Sequence, residues 1–155
     1  MIANIRVRDN GNSYVLCQLD LLRFSQEQVR ERMAERGIRD DAFFICGFVD
    51  WEVDTVMSLA EAYRLKLVLT KFYDGDDFVI KHLLSRHVKL MDVITEYYRF
   101  ASIDEVELMQ LILKDIDSCK IVQLWSQVGS LPNAIAHYIA QGYVLNTERG
   151  FYIKI

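Results

Sequence analysis

The apolar positions change period along the chain. Residues 2–7 alternate apolar and polar, Asp9-Asn10-Gly11-Asn12 is a turn cluster, and residues 14–19 run apolar again. An Asn-Gly pair takes positive φ cheaply, so the pattern predicts a β-hairpin. From Ser25 the spacing lengthens to that of a helix, with Val29 and Met33 on the apolar face and Gly37 as its stop. Gln28, three residues after Ser25, can complete a capping box. Next comes a short apolar and aromatic run about one buried strand long, bounded by Asp40 and Asp41 before it and Asp50, Glu52 and Asp54 after it. The expectation is one central strand whose two ends carry carboxylates into water.

Ser58 with Glu61 repeats the capping signature and opens a helix over residues 59–72, ended by Asp74-Gly75-Asp76-Asp77. Asp76 or Asp77 then caps a helix over 78–86, and a short helix over 90–96 follows. Residues 97–101 read as a strand. Ser102 with Glu105 predicts a third capping box and a helix to residue 116. Residues 119–128 and 133–141 are two further helices, the second with Pro132 in its first turn, where the missing N–H costs nothing. Residues 143–145 and 151–155 close as a hairpin. Strands segregated from helices in this order predict an α+β fold: a small antiparallel sheet with a helix, a central helical region, and a C-terminal helix plus hairpin. The corresponding divisions are 1–56, 57–96 and 97–155. The three Ser-x-x-Glu/Gln boxes are unevenly spaced and mark helix starts, not a repeat.

Composition narrows the classes. At 155 residues and 52% hydrophobic, the chain can build its own core and is not of the disordered class. A formal net charge of −4 disfavours direct nucleic-acid binding, which needs a basic footprint. Charge is unevenly spread: residues 1–39 hold seven Arg against five acids, whereas residues 40–63 hold six acids and no Lys or Arg. Cys17, Cys46 and Cys119 lack metal or redox spacing and predict free thiols in a reducing cytoplasm. No signal-peptide pattern opens the chain and no apolar stretch reaches membrane-span length, so no membrane association is expected.

Candidate chemistry is sparse. His82 and His87 are five apart, about 140° around a helix, and cannot share a metal as an i, i+4 pair does. No hydrolase, phosphate-loop, dinucleotide or metalloprotease motif occurs. The reading is therefore no catalytic residue, no metal and no cofactor. Tyr97-Tyr98-Arg99-Phe100 is the one aromatic-basic cluster, and it reads better as a strand end than as a base-stacking platform. What remains is a series of acidic segments: Asp40/Asp41, Asp50/Glu52/Asp54, Asp74/Asp76/Asp77, Asp104/Glu105/Glu107 and Asp115/Asp117. They fit an ordinary solvated surface, and Asp104, Glu105 and Glu107 fit simple stabilisation of a helix N-terminus. They also fit a carboxylate trail presented to a basic, DNA-binding partner.

The order of elements resembles that of the ArdA antirestriction family, small proteins of plasmids, transposons and phages. The resemblance is diffuse and spans nearly the whole chain. An opening strand and loop, a helix, an aromatic and acidic strand and a serine-capped helix fall at 2–19, 25–36, 42–54 and 58–72. Tyr97-Tyr98-Arg99-Phe100-Ala101-Ser102-Ile103-Asp104-Glu105 looks like the family's strand-serine-acid-helix step. Leu131-Pro132-Asn133-Ala134-Ile135-Ala136-His137-Tyr138-Ile139 resembles its Val/Leu-Pro-x-x-Leu/Ile-x-x-Tyr-Ile segment, after which this chain is shorter and lacks the family's acid. The resemblance implies a non-enzymatic anti-defence protein of a mobile element, acting in the host cytoplasm. Its partner would be a type I restriction-modification enzyme, met by acidic-surface DNA mimicry through Asp40, Asp41, Asp50, Glu52, Asp54, Asp74, Asp76, Asp77, Asp104, Glu105 and Glu107. It also implies a homodimer, with Tyr138, Ile139 and Tyr143 as the self-association residues. Two alternatives stay open: an inhibitor of another nuclease, such as a CRISPR effector, by direct protein binding, and a small enzyme or ligand-binding α+β domain.

Overall fold

Asn10 and Gly11 both take positive φ, 47° and 85°, and fold strands β1 (Ile2–Asp9) and β2 (Asn12–Asp20) into a tight hairpin. A two-residue turn of this hand matches the twist of the strands it joins. The computed structural model describes residues 1–155. It contains seven helices and two antiparallel sheets, an α+β fold. The chain forms two compact units, Met1–Thr95 and Glu96–Ile155.

In the N-terminal unit, β1 is an inner strand. It pairs with β2 on one side and β3 (Phe43–Phe48) on the other, and β3 pairs with β4 (Val53–Met57), giving the order β2-β1-β3-β4. Ala3, Ile5 and Val7 lie opposite Phe48, Ile45 and Phe43, and all six are buried on one face of the sheet. The core is completed by four helices: α1 (Gln26–Glu35), α2 (Leu59–Lys71), α3 (Phe78–Ser85) and α4 (Leu90–Thr95). Their inward residues include Val29 and Met33, then Leu65 and Val68, then Val79, Ile80 and Val93. Helices α2–α4, which the sequence set apart as a middle segment, belong to this unit. The two capping boxes expected in this unit are formed: Ser25 with Gln28 opens α1, and Ser58 with Glu61 opens α2.

Two expectations change here. The single strand expected over 42–54 is two strands, β3 and β4, joined by a turn at residues 49–52. Gly47 permits the close approach of these strands, because a Cβ there would collide with the Val53 carbonyl oxygen. Helix α3 begins after Asp77, which sits at the N-cap but makes no capping bond. Its neighbour Asp76 accepts from the Phe78 N–H at 3.2 Å.

In the C-terminal unit, β5 (Tyr98–Ser102), β7 (Gly150–Lys154) and β6 (Val144–Thr147) form an antiparallel sheet in the order β5-β7-β6. Helices α5 (Glu105–Leu113), α6 (Ser118–Val128) and α7 (Leu131–Ala140) accompany it. Leu108, Met109, Ile112, Ala134, Ile135, Val144, Phe151 and Ile153 form its core. The expected Ser102 cap is displaced by two residues: Asp104 caps α5 by accepting from the Val106 and Glu107 N–H groups at 2.8 and 2.9 Å. Ser102 is instead the buried end of β5, donating to Glu107 at 2.6 Å and accepting from the Asp104 N–H. Ser130 caps α7, which begins at Leu131, two residues earlier than expected, with Pro132 in its first turn. No helix is long and apolar enough to cross a membrane.

Candidate functional site

The turn after β3 and the loop before α3 meet at one indole. Trp51 is buried in the turn, its ring 4.7 Å from that of Phe48. Its Nε1–H donates to Asp77 Oδ2 at 2.6 Å. A charged acceptor gives a short, strong bond, so this contact pins two acidic segments together. Asp50, Glu52 and Asp54 come from the turn and β4; Asp74, Asp76 and Asp77 come from the loop. Glu52 and Asp74 hold positive φ, 54° and 49°, which projects exposed carboxylates from tight turns. Glu52, Asp54 and Asp74 take no part in an ion pair.

Other members of the set are committed to the fold. Asp50 Oδ2 lies 2.6 Å from the Met1 ammonium, and its Oδ1 accepts from the Ile2 N–H at 2.7 Å. Burial alone would raise its pKa. The ammonium's hydrogen bond and charge, with the Ile2 N–H, outweigh burial and hold Asp50 below the usual aspartate range. Asp77 is held by Trp51, so at this acidic end Asp50 and Asp77 serve as struts while Glu52, Asp54 and Asp74 remain presented to solvent.

The remaining predicted residues lie elsewhere. Asp40 and Asp41 precede β3, at the opposite end of that strand from Asp50, about 20 Å away for six residues. Asp40 pairs with Arg30 at 3.4 Å and Asp41 with Arg39 at 2.7 Å, so this end of the strand is charge-balanced. In the C-terminal unit Asp104 and Asp117 are helix caps and Glu107 is bonded to Ser102, leaving Glu105 exposed in the first turn of α5. Tyr138 and Tyr143 come together with ring centroids 6.0 Å apart, joined by a Tyr143 N–H to Tyr138 carbonyl bond of 3.0 Å. Burial, with Tyr143 adding to it, pushes the Tyr138 phenol up. Tyr138 and Ile139 pack partly against the core, and Tyr143 stays 38% exposed.

Clefts indent the N-terminal unit, and the volumes and linings of three bear on chemistry. One of about 210 Å³ lies between β2 and α1, one of about 520 Å³ runs beside the end of α1, and one of about 310 Å³ is framed by Arg8, Gly11, Asn12, Ser13 and Phe44. None of the three unites Asp, His and Cys side chains. No group of three His, Cys, Asp or Glu side chains is arranged to hold a metal ion. The three thiols are free, Cys17 and Cys46 half-buried and Cys119 exposed. Burial, reinforced by the Arg86 charge, lowers the His82 pKa and favours its neutral form.

Sequence reasoning did not single out Trp51 as the link between the acidic segments. Its signal was a lone indole among carboxylates, whose N–H needs an acceptor once buried. No known family, curated protein or solved structure matches the chain.

Proposed function

We propose that this protein is a non-enzymatic, stoichiometric anti-defence protein of a mobile element, inhibiting a DNA-binding restriction-modification enzyme in the host cytoplasm. The observation that supports this reading best is the convergence of two acidic segments at one end of the N-terminal unit, held by the Trp51–Asp77 bond. Glu52, Asp54 and Asp74 carry the mimicry in this reading: exposed and outside ion pairs, they are free to meet the Lys and Arg of a basic cleft in place of phosphates. The resemblance to the ArdA family supplies the target class. The partner is a protein, and direct nucleic-acid binding is not part of the mechanism.

The test is the plating of unmodified phage on a type I restricting host, with and without the protein expressed. Relief of restriction supports the reading; full restriction, with soluble protein verified, contradicts it. A second reading, inhibition of another nuclease through an apolar surface, is favoured by α6. That helix has no fully buried residue, Leu124 and Val128 packing only partly against the core, and it leaves Val122 68% exposed beside the exposed Trp125. Weak salt dependence of partner binding would select it over mimicry.

A further inference from the structure

Strand β2 is one edge of the N-terminal sheet: β1 is its sole strand partner. Cys17 and Leu19 lie opposite Ile5 and Ala3 and share their face. Yet Ile5 and Ala3 are fully buried, whereas Cys17 and Leu19 are only half-buried. The difference is the cleft of about 210 Å³ between β2 and α1, lined by Cys17, Leu19, Phe24, Met33, Arg32 and Arg36 among others. That volume is below the about 300 Å³ at which small-molecule pockets begin, and suits one or two side chains.

The cleft is built, not incidental. The Phe24 carbonyl accepts from Tyr63 Oη at 2.7 Å and from Lys66 Nζ at 3.1 Å, which fixes the Phe24 backbone against α2. Arg32 stacks over the Phe24 ring at 5.0 Å. Arg32 and Arg36, one helical turn apart, are exposed and form no ion pair, while Arg23, Arg30 and Arg39 each have a carboxylate. Leu16 is an extra residue in β2 with no partner on β1. This bulge interrupts the edge and leaves Cys17 to Asp20 as the regular stretch beside the cleft, enough for a short segment and unsuited to open-ended sheet growth.

An apolar slot, a free strand edge and two cations without anionic partners together specify one kind of occupant. We propose that the β2–α1 groove binds a short, extended, acidic segment of a partner protein, added as a strand along Cys17 to Asp20. One apolar side chain fills the slot and a carboxylate two residues away meets Arg32 and Arg36. Main-chain bonds give affinity, and the slot with its arginines gives selectivity. This surface is basic-rimmed and independent of the acidic end, so it stands or falls apart from the mimicry reading.

The test is selection of random twelve-residue peptides displayed on phage against the immobilised full chain. The enriched peptides are then assayed for affinity and for hydrogen-exchange protection of the chain. Enrichment of an apolar residue spaced by two from Asp or Glu is expected, with new protection of those amides in Cys17 to Asp20 that point away from β1. The Arg32→Ala/Arg36→Ala double variant should bind about tenfold more weakly, or worse. Both arginines are exposed, and unchanged circular dichroism establishes that the variant is folded. Selection of peptides without acids, protection elsewhere, affinity untouched by the double variant, or β2 edges pairing between two copies of the chain would each overturn the proposal.

Discussion

Replacing Asp77 by Ala removes the acceptor of a buried indole N–H. Trp51 is 2% exposed and its Nε1 lies 2.6 Å from Asp77 Oδ2, so truncation of the carboxylate leaves the indole N–H without its charged acceptor. A hydrogen bond to a charged group contributes about 1.5–3 kcal/mol, and an orphaned buried donor costs about 1–3 kcal/mol. We expect Asp77→Ala to lose about 2 kcal/mol, a fall in Tm of about 4–8 °C for a chain of this size. Asp77→Asn keeps an oxygen acceptor and should recover more than half of that loss. The assay is urea denaturation followed by tryptophan fluorescence in a Trp125→Phe background, which leaves Trp51 as the only reporter. Equal loss in Asp77→Ala and Asp77→Asn would refute the hydrogen-bond reasoning, and so would loss below about 0.5 kcal/mol in both, the ordinary scatter of surface substitutions.

Gly47→Ala should destabilise the N-terminal unit by about 1–3 kcal/mol in the same denaturation assay, since its Cβ would strike the Val53 carbonyl. Asp104→Ala should cost about 1 kcal/mol as the loss of an N-cap, whereas Glu105→Ala should stay within about 0.5 kcal/mol; thermal melts of the two variants compare them directly. Asp50 ionises below its unfolded range in the folded protein, so its contribution is complete above the unfolded aspartate pKa and is lost as pH falls through the folded value. Asp50→Asn should therefore lower stability at pH 7 and flatten the loss of stability on acidification below about pH 4, read from denaturation midpoints across pH.

Where chemistry was local, the sequence showed it. The Asn10-Gly11 turn and the capping boxes of Ser25 with Gln28 and Ser58 with Glu61 need only neighbours within three residues, and they formed as expected. Strand β4 was hidden because its turn lacks Gly, Asn or Pro: the positive-φ position falls on Glu52, which carries no turn signature. The start of α5 was ambiguous because Ser102-x-x-Glu105 and Asp104-x-x-Glu107 overlap. Pairing of β5 with β7 buried Ser102 and gave the cap to Asp104. The acidic end was legible as composition but not as geometry. The partners that commit Asp50 and Asp77 lie 48 and 26 residues away, Ile2 for one and Trp51 for the other. Local pattern could not separate those struts from the exposed Glu52, Asp54 and Asp74.

That separation defines the charge-reversal variant worth making: Glu52→Lys, Asp54→Lys and Asp74→Lys together, with Asp50 and Asp77 left in place. The most direct measurement is displacement of a labelled DNA duplex from a type I restriction-modification enzyme by this protein, titrated at several salt concentrations. Mimicry requires stoichiometric displacement by the wild-type chain, a direct affinity of that chain for the enzyme that weakens as salt rises, and no displacement by the folded triple variant. Failure of the wild-type chain to displace DNA, or equal displacement by the triple variant, would contradict it.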